Sequence, residues 1–298
     1  MNLSDRVKLR LTGADRVRYL NGQVTANVQK LAPGVAMRAC VTSAKGRLCA
    51  DVFISSERDG LLVDAEPELR ESLAARLDRY IVADDVTLED VTDGIGLVHL
   101  LPAPGAGIES LRGANFSPFE PICSRRFGWD GFDFLVPAGA NTGLMDRLIE
   151  HHELLDETLC EILRIEAGIP RWGRELDENT LPPEAGLERT HIDYDKGCYI
   201  GQEVISRIKS IGHVNRRLAG FVAGENGMLK AGMRVFAGGG ESVETGVLTS
   251  GAWSFALERS VALGYLKRGS PTGELFAREI GEPAPGLIVR VQDFPLTS

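Results

Sequence analysis

Lys196-Gly197-Cys198-Tyr199-Ile200-Gly201-Gln202-Glu203 is the stretch of this chain that says most about its fold and its chemistry. These residues, hereafter the octapeptide, place an ammonium, a thiol, a phenol and a carboxylate around two glycines. Glycine permits backbone conformations that side chains forbid, and it lets the main chain approach a ligand closely. In an extended segment Lys196 and Cys198 would point to one side, where the ammonium would favour the thiolate. The octapeptide therefore predicts a functional loop with a reactive thiol.

A structural role for Cys198 is the alternative, because free cysteines are commonly buried and behave as small hydrophobic residues. The neighbours Lys196, Gln202 and Glu203 argue against a core position, since charged and amide side chains are rarely fully buried. Binding residues are also concentrated on loops. We therefore favour the functional interpretation of the octapeptide.

The octapeptide resembles K-G-C-Y-x-G-Q-E, the hallmark motif of the YgfZ-type folate-binding proteins, a branch of the glycine-cleavage T-protein (aminomethyltransferase) superfamily. The resemblance extends over essentially the whole chain. Besides the octapeptide, it rests on residues 11–16 (LTGADR), 20–25 (LNGQVT), 44–47 (AKGR), 163–170 (LRIEAGIP), 181–187 (LPPEAGL), 246–250 (GVLTS) and 262–265 (ALGY).

The resemblance implies an α+β fold, in which a T-protein-like module of antiparallel sheets with helices precedes a small C-terminal antiparallel β-barrel. The sequence pattern also favours a barrel, because short β-rich runs alternate with Gly, Pro and Ser clusters from Arg216 onward. We expect a folate-binding module over residues 1–212 and the barrel over residues 213–298. The module would consist of two interleaved lobes, joined near residues 102–118, where Pro, Gly and Ala are frequent.

Hydrophobic periodicity predicts the individual elements. Leu69, Leu73 and Leu77 recur at four-residue spacing after Pro67, which favours a helix within residues 68–82 that buries this stripe. The octapeptide itself is expected on a loop. Further helices are predicted within residues 15–31, 144–149 and 155–167, and strands within residues 38–55 (with a turn at Lys45-Gly46), 132–136, 218–222, 233–236, 245–248, 260–266 and 287–291. The apolar face of the helix within residues 155–167 is expected to consist of Leu159, Ile162, Leu163 and Ile165.

Composition narrows the class of protein. With 298 residues, of which 43% are hydrophobic, the chain can bury substantial cores. No apolar run approaches the roughly 20 residues that cross a bilayer, and the first residues lack the apolar segment of a secretory signal. We therefore expect a cytoplasmic protein with no membrane partner. A net charge of −9 argues against nonspecific nucleic-acid binding. The five cysteines include no C-x-x-C pair, so neither a disulfide framework nor a preformed metal site is expected.

The ligand that the resemblance implies is tetrahydrofolate or a related reduced folate. Its pterin edge presents paired N–H donors, which one carboxylate can accept bidentately. Glu184 is the first candidate for this role by resemblance and Glu166 the second, although an ion pair of Glu166 with Arg164 or Arg171 is the structural alternative. Candidates for the ring walls are Tyr199 and Trp172, and candidates for the folate tail are Arg207, Lys209, Arg216 and Arg217, with Arg better suited to a carboxylate than Lys. Lys196 and Gln202 of the octapeptide complete the predicted binding residues.

One carboxylate near Gly46 bears on catalysis. True T-proteins resemble this chain there but carry two consecutive aspartates, one of which serves aminomethyl transfer. The matching positions here are Ala50 and Asp51. A positioned carboxylate handles a proton of the reacting amine, which is typically worth about 10² to 10⁴ in rate. Asp51 is therefore the candidate catalytic carboxylate, while the loss of its neighbour argues against full aminomethyltransferase activity.

The resemblance leaves two functions open. In the first, the protein is a tetrahydrofolate-binding accessory protein that supports iron–sulfur cluster assembly or repair, and Cys198 contacts iron–sulfur client or carrier proteins transiently or through a mixed disulfide. One cysteine cannot hold a conventional cluster, which takes four protein ligands. In the second, the protein is a tetrahydrofolate-dependent one-carbon (aminomethyl) transferase that uses Asp51. A third interpretation, from the residues alone, is a thiol enzyme in which His191 or His213 is the base for Cys198.

Overall fold

The computed structural model describes residues 1–103, 116, 118–139, 141–150, 152–224, 227–238, 243–271, 274–281 and 286–297. By its internal contacts the chain divides into two compact units. Unit 1 comprises Met1–Leu155 and Glu188–Ser206, and unit 2 comprises Asp156–Leu187 and Arg207–Ser298. The predicted domains, residues 1–212 and 213–298, stay a prediction. Most of the predicted connection near residues 102–118 lies outside the described residues.

Unit 1 is built on two antiparallel sheets. Its strands are β1 (Val7–Thr12), β2 (Met37–Thr42), β3 (Leu48–Ser56), β4 (Leu61–Ala65), β5 (Thr87–Asp90), β6 (Ile95–Leu100), β7 (Ile122–Ser124) and β8 (Gly131–Pro137). The larger sheet has the order β2-β3-β4-β1-β5 and the smaller one the order β6-β8-β7. Leu9, Ile54 and Val63 of the larger sheet are fully buried. The β2–β3 turn contains Gly46 at φ +71°, a conformation that glycine adopts without strain.

The helices of unit 1 include α1 (Arg16–Gln23), α2 (Arg70–Asp78) and α3 (Asn141–Ile149). A 3₁₀ turn that begins at Pro67 precedes α2. Leu69, Leu73 and Leu77 are at most 3% exposed, which confirms the predicted stripe. Burying three leucine side chains stabilises the fold by roughly 1.5–3 kcal/mol each.

Unit 2 combines one long helix with a closed barrel. The helix α4 (Glu157–Ala167) begins at Asp156, whose side chain accepts a hydrogen bond from the Leu159 N–H, and ends at Gly168 in the left-handed conformation. The barrel strands are β9 (Arg216–Ala223), β10 (Arg234–Ala237), β11 (Val243–Ser254), β12 (Arg259–Lys267), β13 (Glu274–Arg278) and β14 (Leu287–Gln292). They close in the order β10-β11-β12-β9-β14-β13.

The fold class predicted from the sequence is confirmed, since antiparallel sheets with helices are followed by an antiparallel barrel. Seven elements were not predicted individually, namely the helix α5 (Gln202–Ile211) and the strands β1, β4, β5, β6, β7 and β13. The predicted apolar face of α4 is partly wrong, because Leu159 is 37% exposed while Arg164 and Glu166 are buried. Within the described residues, no helix is both long enough and apolar enough to cross a membrane.

Candidate functional site

Lys196 fixes the start of the octapeptide in unit 1. Its side chain is buried, and its Nζ donates hydrogen bonds of 2.6, 2.7 and 2.7 Å to the carbonyls of Asn21, Val24 and Ala26. An ammonium has three N–H donors, so all three bind carbonyls in the last turn of α1 and in the residues just after it. Burial lowers the pKa of Lys196 to about 8. The structure thus places this ammonium on backbone carbonyls, whereas an extended segment would have placed it beside the Cys198 thiol.

Cys198 and Tyr199 have opposite environments although they are adjacent in the chain. Cys198 is exposed, whereas Tyr199 is 7% exposed. The next residue is held on both sides, because the Thr42 hydroxyl donates to the Ile200 carbonyl and the Ile200 N–H donates to the Gly22 carbonyl over 3.2 Å. The thiol is therefore displayed to solvent from a loop whose two ends are anchored.

The octapeptide ends inside a helix. Gln202 and Glu203 are the first residues of α5, so the prediction that the whole motif lies on a loop is wrong at its C-terminal end. Gly201, which precedes α5, has φ +90°, and a Cβ at this position would lie 2.6 Å from the Ser43 carbonyl oxygen. Glycine is thus required where the octapeptide approaches the β2–β3 turn.

Asp51, the candidate catalytic carboxylate, lies beside a histidine. Its Oδ1 is 2.9 Å from Nε2 of the buried His191, although the two atoms lack the alignment of a hydrogen bond. The other ring nitrogen of His191 lies 2.7 Å from the Thr190 hydroxyl. Burial alone would raise the pKa of Asp51, but His191, Arg38 and Arg6 together hold it below its ordinary value. Asp51 is therefore a carboxylate at neutral pH, placed to accept a proton or a hydrogen bond.

Several buried polar atoms of unit 1 have no hydrogen-bond partner. Among the described residues they include Arg38 Nε, Asp51 Oδ1, Glu188 Oε2, His191 Nε2 and Tyr199 Oη, and we name these residues the Asp51 cluster. Buried polar groups in native proteins normally have partners. The cluster is therefore a candidate contact for a polar ligand.

Cys40 links the members of the Asp51 cluster in space. It lies opposite Asp51 in the β2–β3 pair. After burial, which is the larger effect, the Asp51 charge raises the pKa of Cys40. Burial likewise raises the pKa of Tyr199, and Tyr194 and Cys40 add to that rise. The backbone N–H of Cys40 donates to the Thr25 hydroxyl, which in turn donates to the His191 carbonyl.

Glu184, the predicted pterin-binding carboxylate, lies in unit 2 and is 8% exposed. It belongs to the 3₁₀ turn Pro182–Ala185, and the Nε of Arg216 donates to its Oε2 over 3.0 Å. The Arg216 guanidinium carbon lies 4.2 Å from the centroid of the Tyr265 ring. Arg216, predicted for the folate tail, therefore serves as the ion-pair partner of Glu184 and fixes the orientation of that carboxylate.

Glu166, the second predicted carboxylate, does not form the ion pair that was its structural alternative. Arg164 pairs with Glu161 and Glu175, and Arg171 lies 3.6 Å from Glu161. Glu166 is 8% exposed, and within the described residues its carboxylate has no hydrogen bond or ion pair. This carboxylate is therefore available to a ligand.

The other predicted binding residues of unit 2 are more open. Trp172 is half-buried, while Arg207 and Arg217 are exposed. His213, one of the two candidate bases for Cys198, is also exposed, and the other candidate, His191, lies beside Asp51. Within the described residues, no three side chains of His, Cys, Asp or Glu are grouped as metal ligands.

Comparisons with known proteins decide the family. Residues 216–291 match the glycine cleavage T-protein C-terminal barrel domain. An aminomethyltransferase of Rubrobacter xylanophilus is 31% identical over 296 residues, which cover 93% of this chain and 78% of that protein. The chain belongs to the glycine-cleavage T-protein superfamily.

Within the T-protein superfamily the chain is YgfZ-like. A tRNA-modifying protein YgfZ of Pectobacterium carotovorum is 28% identical over 238 residues, which cover 76% of this chain and 70% of that protein. The crystal structure of the glycine cleavage system aminomethyltransferase T from Bartonella henselae superposes with a TM-score of 0.84 over 99% of this chain and 85% of that chain. Its sequence identity is 18%, so this likeness shows the T-protein fold alone. The family resemblance and the fold predicted from the sequence are therefore confirmed.

Parts of the candidate site were missed by reasoning from the sequence. Arg38 and Glu188 were not nominated, and His191 was considered only as a base for Cys198. Arg38 and Asp51 lie on neighbouring strands, whereas His191 is 140 positions from Asp51, so no local spacing could have paired them. Arg38 and Cys40 are two positions apart, so their side chains lie on the same face of β2. This spacing is the signal that could have suggested Arg38.

Proposed function

We propose that the protein binds a reduced folate. The observation that carries this proposal is the Asp51 cluster, whose buried donors and acceptors suit a ligand with many polar atoms. A pterin presents both N–H donors and acceptor nitrogens, so Asp51, Glu188 and the Arg38 guanidinium supply complementary groups. Glu166 and Glu184, the carboxylates that the resemblance implies for the pterin, belong to unit 2 and stay predictions. Membership of the T-protein superfamily supports the same ligand.

We further propose that the folate-bound protein is an accessory factor in iron–sulfur cluster assembly or repair in the cytoplasm, acting through Cys198. The support is the exposure of this thiol on a loop that Lys196 and Ile200 anchor. An anchored, exposed thiol can meet a partner protein without a large loss of conformational freedom. Cys198 would share a cluster's ligation with a client or carrier, or form a mixed disulfide with it.

Titration with 5-formyltetrahydrofolate, a stable reduced folate, tests the first step. Calorimetry should show one saturable binding site. Asp51→Asn should lower the affinity for the ligand, because the amide lacks the negative charge of the carboxylate that Arg38 and His191 face. Asp130→Asn, which changes an exposed aspartate paired with Arg125, is the control. A wild-type protein that shows no saturable heat would contradict the proposed ligand.

The second step is tested by complementation of a strain that lacks its own YgfZ-type protein. Cys198→Ser should abolish the recovery of iron–sulfur enzyme activity and leave the folate affinity unchanged. Recovery with Cys198→Ser as complete as with the wild type would rule out the thiol-dependent role. Cys160→Ser, a change at a half-buried cysteine on α4, is the matched control.

One-carbon transfer is the second candidate, and the Asp51–His191 pair favours it. Tetrahydrofolate supplies the amine that carries a one-carbon unit. Asp51, held ionised, is placed to take or orient a proton of the reacting amine, and His191 Nε2 lies 2.9 Å from its Oδ1. In an aminomethyl-transfer assay, Asp51→Asn should lower kcat by about 10² or more, whereas Cys198→Ser should have little effect. The opposite pattern would favour the accessory role.

The name of the YgfZ relatives places those proteins in tRNA modification. We propose that any part of this chain in such a process runs through a protein client and not through direct RNA binding. The net charge of −9 supports this, because nonspecific RNA binding depends on neutralising phosphates with Lys and Arg.

A further inference from the structure

The phenol of Tyr199 is a buried donor and acceptor that the fold itself does not use. Tyr199 is 7% exposed, and its hydroxyl has no hydrogen-bond partner among the described residues. A hydroxyl of this kind lowers the stability of a fold, so proteins rarely keep one without a use. Another buried tyrosine of unit 1 shows the usual case, because the Tyr19 hydroxyl donates to the Leu77 carbonyl.

The Tyr199 hydroxyl belongs to the Asp51 cluster. The Tyr199 ring lies 5.2 Å from Lys196 Nζ, which donates to the carbonyls of Val24 and Ala26, and the hydroxyl of the intervening Thr25 contacts both the Cys40 N–H and the His191 carbonyl. Cys40 faces Asp51 across the β2–β3 pair, and after burial both Tyr194 and Cys40 raise the pKa of Tyr199. Tyr194 in turn responds to Glu188 of the same cluster. A ligand that contacts the carboxylates of this cluster therefore has the Tyr199 phenol within the same polar environment.

The backbone around Tyr199 is held at several points. Its carbonyl accepts a hydrogen bond of 3.2 Å from the N–H of Gln202, the first residue of α5. Its ring lies 5.2 Å from Nζ of Lys196, whose three donors are committed to carbonyls. Between these two fixed residues only Gly197 and Cys198 are exposed. Cys198 is therefore joined to the buried Tyr199 by a single peptide bond.

We propose that the Tyr199 hydroxyl hydrogen-bonds the bound folate and that this contact makes the reactivity of the Cys198 thiol depend on the ligand. The inference rests on the proposed folate binding and adds a specificity-determining contact and a form of regulation to it. Bound ligand restrains the Tyr199 ring, the restraint limits the conformations of Cys198, and alkylation of the thiol slows. By linkage, a partner attached to Cys198 weakens folate binding by the same factor.

Tyr199→Phe is the test, because it removes the hydroxyl and keeps the ring. The variant should melt no lower than the wild type, since it loses an unpartnered buried group. Its affinity for 5-formyltetrahydrofolate should fall about three- to tenfold, the usual effect of one neutral hydrogen bond. Alkylation of Cys198 by iodoacetamide, followed by mass spectrometry of the peptide that carries it, should slow at least about threefold on ligand saturation in the wild type and not in Tyr199→Phe.

Tyr19→Phe is the matched control. It loses the hydrogen bond to the Leu77 carbonyl, so it should melt lower than the wild type while keeping both the folate affinity and the ligand-dependent slowing. The inference is overturned if Tyr199→Phe binds folate as tightly as the wild type, or if saturating ligand leaves the alkylation rate of wild-type Cys198 unchanged. A wild-type protein that binds no folate would instead remove the proposed function on which the inference rests.

Discussion

Gly197 and Gly201 of the octapeptide differ in what the fold requires of them. Gly201 has φ +90°, and its Cβ would lie 2.6 Å from the Ser43 carbonyl oxygen and 2.8 Å from the Thr42 hydroxyl. Gly197 has an ordinary φ, and a Cβ there would have no atom within 4 Å. The expectation that both glycines serve special backbone geometry is therefore right for Gly201 and wrong for Gly197.

Alanine at the two positions should have unequal effects on stability. Gly201→Ala should lower the free energy of unfolding by about 2 kcal/mol or more, because it combines a left-handed conformation with a backbone clash. Gly197→Ala should stay within about 0.5 kcal/mol of the wild type. Urea denaturation followed by circular dichroism measures both. Equal losses would show that the octapeptide does not approach the β2–β3 turn as described.

Lys196 should act as a structural residue as well as part of the motif. Lys196→Met keeps most of the side-chain volume but leaves the carbonyls of Asn21, Val24 and Ala26 without their donor. We expect the free energy of unfolding to fall by about 2–3 kcal/mol in urea denaturation, the usual effect of orphaned buried polar groups. Lys45→Met, at an exposed position of the β2–β3 turn, should change it little. If Lys196→Met leaves the free energy of unfolding unchanged, the hydrogen bonds assigned to Lys196 are contradicted.

At the scale of elements, a buried chain of charges ties the two sheets of unit 1 together. Arg126, on the loop between β7 and β8, lies 2.8 Å from both Asp64 of β4 and Asp133 of β8. Arg6, which precedes β1, lies 2.6 Å from Asp64, and Nδ1 of His99 on β6 lies 2.7 Å from Asp133. Removing one member of such a network leaves an uncompensated buried charge, which is more harmful than the loss of a surface pair.

Asp133 should make the stability of unit 1 depend on pH. Burial alone would raise the pKa of Asp133, but Arg126 and His99 hold it well below its ordinary value. Because the folded-state pKa lies below the unfolded one, the contribution is complete above the unfolded value of about 3.9 and is lost as pH falls below it. Asp133→Asn should lower the free energy of unfolding by about 3–5 kcal/mol at pH 7 and flatten its decline at acid pH.

Denaturation at pH 7, 5, 4 and 3.5 measures this difference. His99 also makes the fold less stable as pH falls, but at higher pH. Burial lowers the pKa of His99, whereas the unfolded chain takes up this proton near pH 6.5. Asp130→Asn, which breaks the exposed pair with Arg125, should follow the wild type at every pH. If the free energy of unfolding of Asp133→Asn falls with decreasing pH as steeply as that of the wild type, other carboxylates dominate the acid dependence of stability.

Element prediction succeeded where one local signal was sufficient. Leu69, Leu73 and Leu77 specify α2 by their spacing, and the β-rich runs after Arg216 specify most of the barrel. It failed for α5, because Gly201 and the polar residues that follow read as a loop. It failed for the face of α4, because Arg164 is buried through partners that are distant in sequence, Glu175 and Ser250.

For the whole molecule, the resemblance carried by the octapeptide and its companion segments predicted the family and the fold, which the comparisons confirm. It could not predict the site in detail. The contact of Asp51 with His191 and the hydrogen bonds of Lys196 to Asn21 span more than 100 positions of sequence. Only the folded backbone brings such groups together, so single-sequence reasoning could nominate Asp51, Tyr199 and Lys196 but not their neighbours.

The overall charge leads to a last prediction, about RNA. With 33 Lys and Arg against 42 Asp and Glu, the chain presents a net repulsive field to phosphates. Arg216 is moreover engaged by Glu184, which leaves Arg207 and Arg217 as exposed arginines of the predicted basic group. In filter binding at about 150 mM salt, tRNA should bind with a Kd no lower than about 10⁻⁴ M, the weak end of nonspecific affinities.

The double substitution Arg207→Glu and Arg217→Glu should leave this affinity for tRNA unchanged. Micromolar binding that these two substitutions abolish would establish a local basic site strong enough to overcome the net charge, and would make direct action on tRNA the better explanation of the likeness to YgfZ.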